Sequence, residues 1–449
     1  MIALASVLYP VTALVFGLAL LHQHEPAAWG TALRAVLFAL FLPLIVKYVV
    51  QLVLCLRYRR HQPSSTAFDH GTPSVSVLVP AWNEAVGIAA TLRSVVATRY
   101  PRLEIIVIDD GSTDATGEVV RAFTAEHAAV MAAGRPTIRY RRQANGGKAR
   151  ALNAGLALAS GEIVVTVDAD SVMAPDFLDE IARYLARHDV AAVAGNVVIG
   201  NGHRAIGLVQ QLEYLYGFFF KRAEAVMGSV YIVGGAAAAY RRRIIQELGG
   251  FDESIITEDI ELSTRLQRHG HRVGYAADAV VHTEGPSGLG GLCRQRLRWK
   301  HGRLLTFHKH RSLFGSLDPA HSRFLTLLVM PVALYAEFLL LFEPVLLTVF
   351  AAYTLSTFDF APLAAFIAVL AGVIMLQVWS DPRRREHRNL LLLAPVAWLL
   401  FYWLDAVEFQ ALTRSLARLA THRAVEWQRW QRQGVFGTSG SSAAATRAA

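Results

Sequence analysis

A chain of 449 residues is longer than one ordinary domain, and 53% hydrophobic residues with a mean hydropathy of +0.34 exclude a wholly water-soluble protein. The formal charge of +9 and pI near 9.7 would suit a nucleic-acid binder, but the arginines concentrate beside apolar runs, the pattern of a membrane protein whose basic loops stay inside. Cys55 and Cys293 lie far apart and supply neither a disulfide framework nor zinc spacing, which points to a reducing compartment for the polar part of the chain.

Residues 1–21 carry no charge and residues 35–56 carry only Lys47, so each run is long enough to cross a bilayer. The first lacks the basic start of a secretory signal and a second run comes soon after it, so it reads as an anchor. Arg57, Arg59 and Arg60 place the end of the second run, and the polar residues after it, on the cytoplasmic side; the amino terminus is expected outside. After a Ser/Thr/Pro-containing linker at 61–73, a polar region extends to about 315. Its patterns predict strands over 75–79, 104–109, 137–141, 163–168 and 190–198, separated by helices over 85–97, 114–126, 147–159 and 176–187. Such alternation predicts an α/β domain with a mostly parallel sheet covered on both faces.

Beyond Arg311 the chain has three apolar stretches, 324–355, 361–379 and 390–412. The first contains Pro331, Glu337 and Glu343-Pro344, and reads as one tilted helix or as an interfacial helix leading into a span. Arg383, Arg384 and Arg385 and the later Arg414, Arg418, Arg423, Arg429 and Arg432 all favour the cytoplasm, yet three crossings would leave the tail outside. One carboxy-terminal stretch is therefore expected to be re-entrant or interfacial, and Asp405 and Glu408 mark the last. The predicted division is two membrane helices at 1–60, a catalytic domain at 61–315 ending in a basic amphipathic helix, membrane or interfacial helices at 316–420, and a tail at 421–449, disordered from Thr438.

Six stretches in the polar region carry chemistry. Pro80-Ala81-Trp82-Asn83-Glu84 comes after the first strand; Asn83 would serve as an ordinary helix cap, or Glu84 and nearby amides would face a nucleoside at the strand's carboxyl end. Asp109-Asp110-Gly111-Ser112-Thr113-Asp114 comes after the second, and two adjacent aspartates exceed what a cap requires; carboxylates accept from a uracil N–H and ribose hydroxyls. Asn145-Gly146-Gly147-Lys148 lacks Walker spacing, so it is either a plain glycine turn or a loop whose lysine neutralises a diphosphate near a helix start. Asp168-Ala169-Asp170 ends a β-branched run and offers hard oxygen ligands for magnesium or manganese, though a turn would look the same.

Thr257-Glu258-Asp259 opens a predicted helix, as an acidic first turn often does, and a carboxylate there can also take a proton from an acceptor hydroxyl. In Gln295-Arg296-Leu297-Arg298-Trp299 the helical period sets Gln295, Arg298 and Trp299 on one face; this is either a membrane-surface helix, or a face where an arginine meets a departing diphosphate and a tryptophan meets a sugar ring.

In this order and spacing the six stretches resemble the processive membrane glycosyltransferases of family 2, which include cellulose, chitin, hyaluronan and poly-N-acetylglucosamine synthases. The resemblance covers about Val75 to Arg311. Within the family it is strongest to the bacterial poly-β-1,6-N-acetylglucosamine synthases, through Asn145-Gly146-Gly147-Lys148, Thr257-Glu258-Asp259-Ile260, Gln295-Arg296-Leu297-Arg298-Trp299 and the two preceding spans. It implies a GT-A-like, Rossmann-like domain flanked by transmembrane helices in the bacterial inner membrane, with the catalytic domain cytoplasmic.

By the same resemblance, Pro80, Trp82, Glu84, Asp110, Lys148, Asp168 and Arg298 bind the nucleotide donor, and Asp168 and Asp170 hold Mg2+ or Mn2+. Asp259 is the catalytic base with Glu258 beside it, and Gln295 and Trp299 hold the acceptor; the small residues Gly234 to Ala239 are expected beside that acceptor. The implied partners are a UDP-sugar, a growing polysaccharide, the bilayer and a small accessory membrane subunit, with no nucleic acid. The implied activity is inverting, processive transfer from a UDP-sugar, with UDP-N-acetylglucosamine as the donor of choice and extrusion of the product. The competing readings are a transferase that adds one sugar to a lipid, and a nucleotide-binding sensor or transporter.

Overall fold

The computed structural model describes residues 2–21, 28–58, 72–98, 100–128, 136–186, 190–202, 204–381, 383–425, 432 and 434–435. Most of the predicted linker, Arg59, Arg60, Arg429 and the stretch from Thr438 lie outside the described residues.

The Val/Ile runs become the centre of an eight-stranded sheet. In β1 (Val75–Ala81), β2 (Leu103–Asp109) and β4 (Ile163–Thr166) almost every residue is buried, as strands covered on both faces must be. β3 (Thr137–Arg142), whose arginines face solvent, closes one edge. The strand order is β3-β2-β1-β4-β7-β6-β8-β5, with β5 at Ser171–Met173, β6 at Val190–Ile199, β7 at Ala238–Arg241 and β8 at Arg272–Thr283. Pairing is parallel through β3-β2-β1-β4 and between β6 and β8, and antiparallel where β7 enters between β4 and β6 and where β5 joins β8. The sheet is therefore mixed: four of the five predicted strands form the parallel run β3-β2-β1-β4, the fifth is β6, and β5, β7 and β8 are additions.

Register decides where the site forms. Ala81 lies opposite Asp109 and Leu78 opposite Thr166, so the carboxyl ends of β1, β2 and β4 open side by side at the point where the strand order reverses. Pro80 is tolerated in a central strand because β1 has already lost its β4 neighbour beyond Leu78.

Among the described residues, five helical segments are long and apolar enough to cross a membrane: Leu4–Leu21, Trp29–Cys55, Phe324–Thr357, Ala361–Ser380 and Arg384–Ala420. Ala5 joins an apolar cluster with Leu208, Leu212 and Val378, whereas Val15 clusters with Phe360, Ala364 and Trp398. The second helix ends at Cys55, whose thiol meets the Phe219 carbonyl. The first helix thus starts, and the second finishes, against elements that pack on the sheet domain.

The last segment doubles back within the molecule. Arg383 and Glu386 near its start contact Asp176 and His282 of the sheet domain. Midway, the Pro395 carbonyl and the Trp398 indole meet Thr12, in the middle of the first helix. Its second half then lies along helix Leu289–Lys309, where Glu408 pairs with Arg296 at 3.3 Å and Ser415 with His301 at 3.2 Å. Both ends of this segment contact the domain face, and its middle reaches the first helix.

Two of the charges that interrupt the apolar stretches, Glu337 and Glu408, belong to this contact. Arg296, 2% exposed, lies between Glu213 at 2.6 Å and Glu408; Lys300 bridges Glu337 at 2.6 Å and Glu408 at 3.1 Å; Arg303 reaches Glu337 at 2.9 Å. Breaking one buried pair leaves a charge without compensation. Arg296→Met is expected to lower stability by about 3 kcal/mol, the low end for buried pairs because Glu213 keeps some solvent contact, and adding Glu213→Leu is expected to recover most of it. Thermal unfolding in detergent reads both; a single variant with unchanged Tm would remove the network from the account of stability.

Candidate active site

The first wall is built where β1 and β2 end. Asn83 adopts a left-handed conformation (φ 58°), and its Oδ1 accepts from the amides of Thr113 at 2.7 Å and Asp114 at 3.1 Å, so it ties the two strand-end loops together and does not cap the next helix. Asp109 accepts from the Ser112 amide and the Tyr140 hydroxyl, both at 2.7 Å. The Asp110 carboxylate accepts from the amides of Gly146 at 3.0 Å and Gly147 at 2.8 Å and from Gln143 Nε2 at 2.8 Å. Asp110 therefore shapes the glycine loop. Gly111 (φ 76°) permits the approach, since a Cβ there would lie 2.9 Å from the Asn145 amide nitrogen.

Lys148, first residue of helix Lys148–Leu158, points inward. Its Nζ lies 2.6 Å from Asp168 Oδ1 and 3.2 Å from Glu258 Oε1, and Gly235 leaves room for it, because a Cβ at 235 would come within 2.6 Å of the ammonium. Burial lowers the Lys148 pKa, but Asp168, Glu258 and Asp259 outweigh burial and hold it above the ordinary lysine value. Burial raises the Glu258 carboxyl above its usual range, with Lys148 pulling it down and Asp259 pushing it up. The turn carrying Asp168 and Asp170 is fixed by Thr91, whose hydroxyl donates to the Ala169 carbonyl at 2.8 Å. Asp170 is buried and pairs with Arg432 at 2.5 Å; the same guanidinium pairs with Glu84. Burial pushes the Glu84 carboxyl above its ordinary range, Arg432 opposes that, and Asp170 adds to it.

The opposite wall comes from two helices. Glu258 and Asp259 begin helix Glu258–Arg268, and Gln295, Arg298 and Trp299 lie on helix Leu289–Lys309. The Arg296 guanidinium covers the Trp299 ring at 4.2 Å and Tyr214 approaches it at 6.5 Å, so the indole is held from two sides. Burial holds Arg298 below its usual pKa while Glu258, Asp168 and Asp259 pull the other way.

Gly302 seats one helix on the other: a Cβ there would stand 2.1 Å from Thr257 Oγ1 and 2.8 Å from Thr257 Cβ. Gly302→Ala improves local helix propensity by about 1 kcal/mol yet forces Thr257, and with it Glu258 and Asp259, to move. A loss of about tenfold or more in turnover with near-normal donor affinity is expected from kinetics on the purified variant.

These walls enclose one cavity of about 970 Å³. Pro80, Trp82, Glu84, Asp110, Lys148, Asp168, Asp170, Glu258, Asp259, Gln295, Arg298 and Trp299 all line it, so every residue singled out from the sequence meets in one space. Gly234, Gly235 and Ala236 line it as well. Sequence reasoning placed Arg432 among the tail's basic residues and gave Glu213 no role; both line the cavity, and neither stands in a local pattern that would announce it.

The family described as glycosyltransferase like family 2 matches residues 73–302, which contain all twelve of those side chains. The chain belongs to glycosyltransferase family 2. It is therefore a glycosyltransferase, and the sensor or transporter reading falls. Among its relatives, a poly-beta-1,6-N-acetyl-D-glucosamine synthase of Staphylococcus epidermidis is 29% identical over 366 residues, covering 77% of this chain and 84% of the relative. A synthase of the same name from Staphylococcus aureus strain COL is 34% identical over 236 residues, covering 51% of this chain and 54% of the relative. A solved mannosyltransferase of Pyrobaculum calidifontis, in complex with GDP-Man and Mn2+, superposes with a TM-score of 0.55 at 23% identity, covering 86% of this chain and 99% of that one. That likeness shows the GT-A fold.

No group of three metal-ligating side chains occurs among the described residues. The family's divalent ion nevertheless fits the residues present. Asp168 and Asp170 offer carboxylate oxygens, and Asp170 with Glu84 already holds a cation, the Arg432 guanidinium. Two protein carboxylates with substrate phosphates completing the shell are what a Mg2+ or Mn2+ ion takes.

Proposed function

We propose that this protein is an inverting, processive β-glycosyltransferase that polymerises a sugar from a UDP-sugar, UDP-N-acetylglucosamine by preference, and passes the product outward through its membrane helices. The carrying observation is that the acidic strand ends (Asp110, Asp168, Asp170) and the Asp259–Trp299 wall line a single cavity that continues to the second apolar helix at Lys47, Tyr48 and Gln51. The synthase names of the Staphylococcus relatives support the sugar and the polymer. The arginines after the apolar runs support a cytoplasmic catalytic domain, for which 61–315 remains the proposed extent.

In this reading the nucleoside lies along Pro80, Trp82, Glu84 and Asp110, and the acceptor's terminal ring rests on Trp299 with Gln295 at its edge. The acceptor hydroxyl attacks the anomeric carbon as Asp259 takes its proton, and the bond to UDP breaks on the opposite face, which inverts the centre. Arg298 and Lys148 offset the charge that develops on the diphosphate. Asp168 and Asp170 would hold the divalent ion, which supplies further charge stabilisation to the departing UDP when bound.

Membranes containing the protein, incubated with a panel of labelled UDP-sugars, test the donor and linkage. UDP-N-acetylglucosamine should give label in material degraded by a β-1,6-specific hexosaminidase. Preferential incorporation from another donor, or resistance to that enzyme, would overturn the proposed sugar or linkage, and a single glycolipid product would support one-sugar transfer to a lipid.

A further inference from the structure

Behind the wall that carries Asp259 lies a carboxylate surrounded by basic side chains. Glu261, on helix Glu258–Arg268, is 0% exposed. Its Oε1 accepts from Lys309 Nζ at 2.7 Å and from His310 Nε2 at 3.1 Å, and its Oε2 lies 2.9 Å from Arg265 Nη2. Burial raises the Glu261 pKa, but His310, Lys309 and Arg265 outweigh burial and hold the carboxyl below its usual range. An ionised carboxylate only accepts, so the facing His310 proton sits on Nε2. Lys309 goes on to pair with Asp252, and Arg265 donates to the carbonyls of Leu248 and Gly250, both at 2.6 Å. Asn153 then ties that loop to the helix that begins with Lys148: it accepts from the Phe251 amide at 2.8 Å and donates to the Phe251 carbonyl at 2.9 Å.

Glu261, Arg265, Lys309 and His310 do not line the cavity, and the chemistry uses none of them. They join the helix that carries Asp259 to the end of the helix that carries Gln295, Arg298 and Trp299. The same two helices also meet at Thr257 and Gly302. A single contact leaves two rods free to pivot. The Glu261 contact lies about 6 Å further along one helix and about 11 Å along the other, at 1.5 Å per residue, which removes the pivot. Asp259 stands between the two contacts. A buried ionic cluster adds little net stability over an apolar replacement, because desolvation offsets the attraction. What it does supply is direction, since charge-assisted hydrogen bonds are short and oriented.

We propose that Glu261 is a positioning residue that locks the Asp259 helix against the Trp299 helix, so that the base meets the acceptor hydroxyl. The proposal rests on the reading of Asp259 as the base and Trp299 as the acceptor platform, and adds the part that sets their separation. Reacting groups have to be held within about 0.5 Å. A displacement of about 1 Å costs up to about 10²-fold in rate. Loosening Glu261 therefore acts on turnover, while the donor wall at the ends of β1, β2 and β4 stays in place.

The test uses the full-length protein in detergent, assayed well below the Tm of each variant. Glu261→Gln keeps the size of the side chain and removes its charge; kcat should fall by about 10- to 10²-fold, with the KM for UDP-sugar within about threefold of the parent. Lys309 is 38% exposed, so Lys309→Met opens the link from the other helix without emptying the core. It should lower kcat by about fivefold or more, and Lys309→Arg should restore most of the loss. The decisive measurement repeats both changes on Asp259→Asn. A residue that acts through Asp259 then has nothing left to position, so either change should cost less than about twofold further. Losses that multiply in full on Asp259→Asn would make Glu261 a general structural residue and overturn the proposal, as would parental kcat in both Glu261→Gln and Lys309→Met. Should Glu261→Gln fail to fold, Lys309→Met, Lys309→Arg and the pairing with Asp259→Asn decide alone. Parental turnover in Asp259→Asn by itself overturns the base reading, and the positioning role with it, before Glu261 is altered.

Discussion

Asp259→Asn is expected to reduce glycosyl transfer by about 10²–10⁴-fold while UDP-sugar binding stays within about twofold. Two carboxylates compete for the role of base, and their surroundings separate them. Glu258 is committed to Lys148 at 3.2 Å, and burial raises its pKa. Asp259 forms no ion pair among the described residues; its Oδ1 accepts only the Ile260 amide at 2.9 Å, and the side chain lines the cavity near Trp299. Asparagine is isosteric and can keep that amide contact, so the substitution isolates proton acceptance. Turnover and donor affinity, measured on the same preparation, decide the matter: wild-type turnover in the Asn variant would place the base elsewhere.

Lys148→Met is the second substitution with a large expected effect. The ammonium sits between Asp168 and Glu258 with Asp259 beside them, and without it three carboxylates face the space assigned to a diphosphate. Two charges about 4 Å apart interact by about 4 kcal/mol at an effective dielectric near 20. Losing half to all of one such interaction is a loss of about 30- to 10³-fold in kcat/KM. Kinetics across donor concentrations should show the donor KM rising together with a falling kcat. An unchanged donor KM would mean that Lys148 serves the carboxylates alone and takes no part in holding the donor.

Much of this site was legible because its parts are local. Asp110, Asp168 and Asp170 each come after a run of buried β-branched residues, so strand pattern and strand end could be read together, and the helical period placed Gln295, Arg298 and Trp299 on one face. β7 was not legible: Ala238-Ala239-Tyr240-Arg241 has no β-branched residue, and it becomes a strand because β4 and β6 offer free edges on both sides. β8 escaped notice because Ala276-Ala277-Asp278-Ala279 interrupts its apolar run, near the register shift against β6. Lys148 was read as a phosphate ligand from its loop, but its carboxylate neighbours come from β4's end and a distant helix. Glu337 and Glu408 stood out as charges in apolar stretches, yet their partners Lys300 and Arg296 could be named only once the helices were packed.

The most direct test of the central claim is product length at trace conversion. Purified protein, labelled UDP-N-acetylglucosamine and excess acceptor are mixed, and the reaction is stopped when far less than one sugar per acceptor has been transferred. A processive polymerase gives label in long chains while most acceptor remains untouched. Label confined to acceptors extended by one unit would contradict the account.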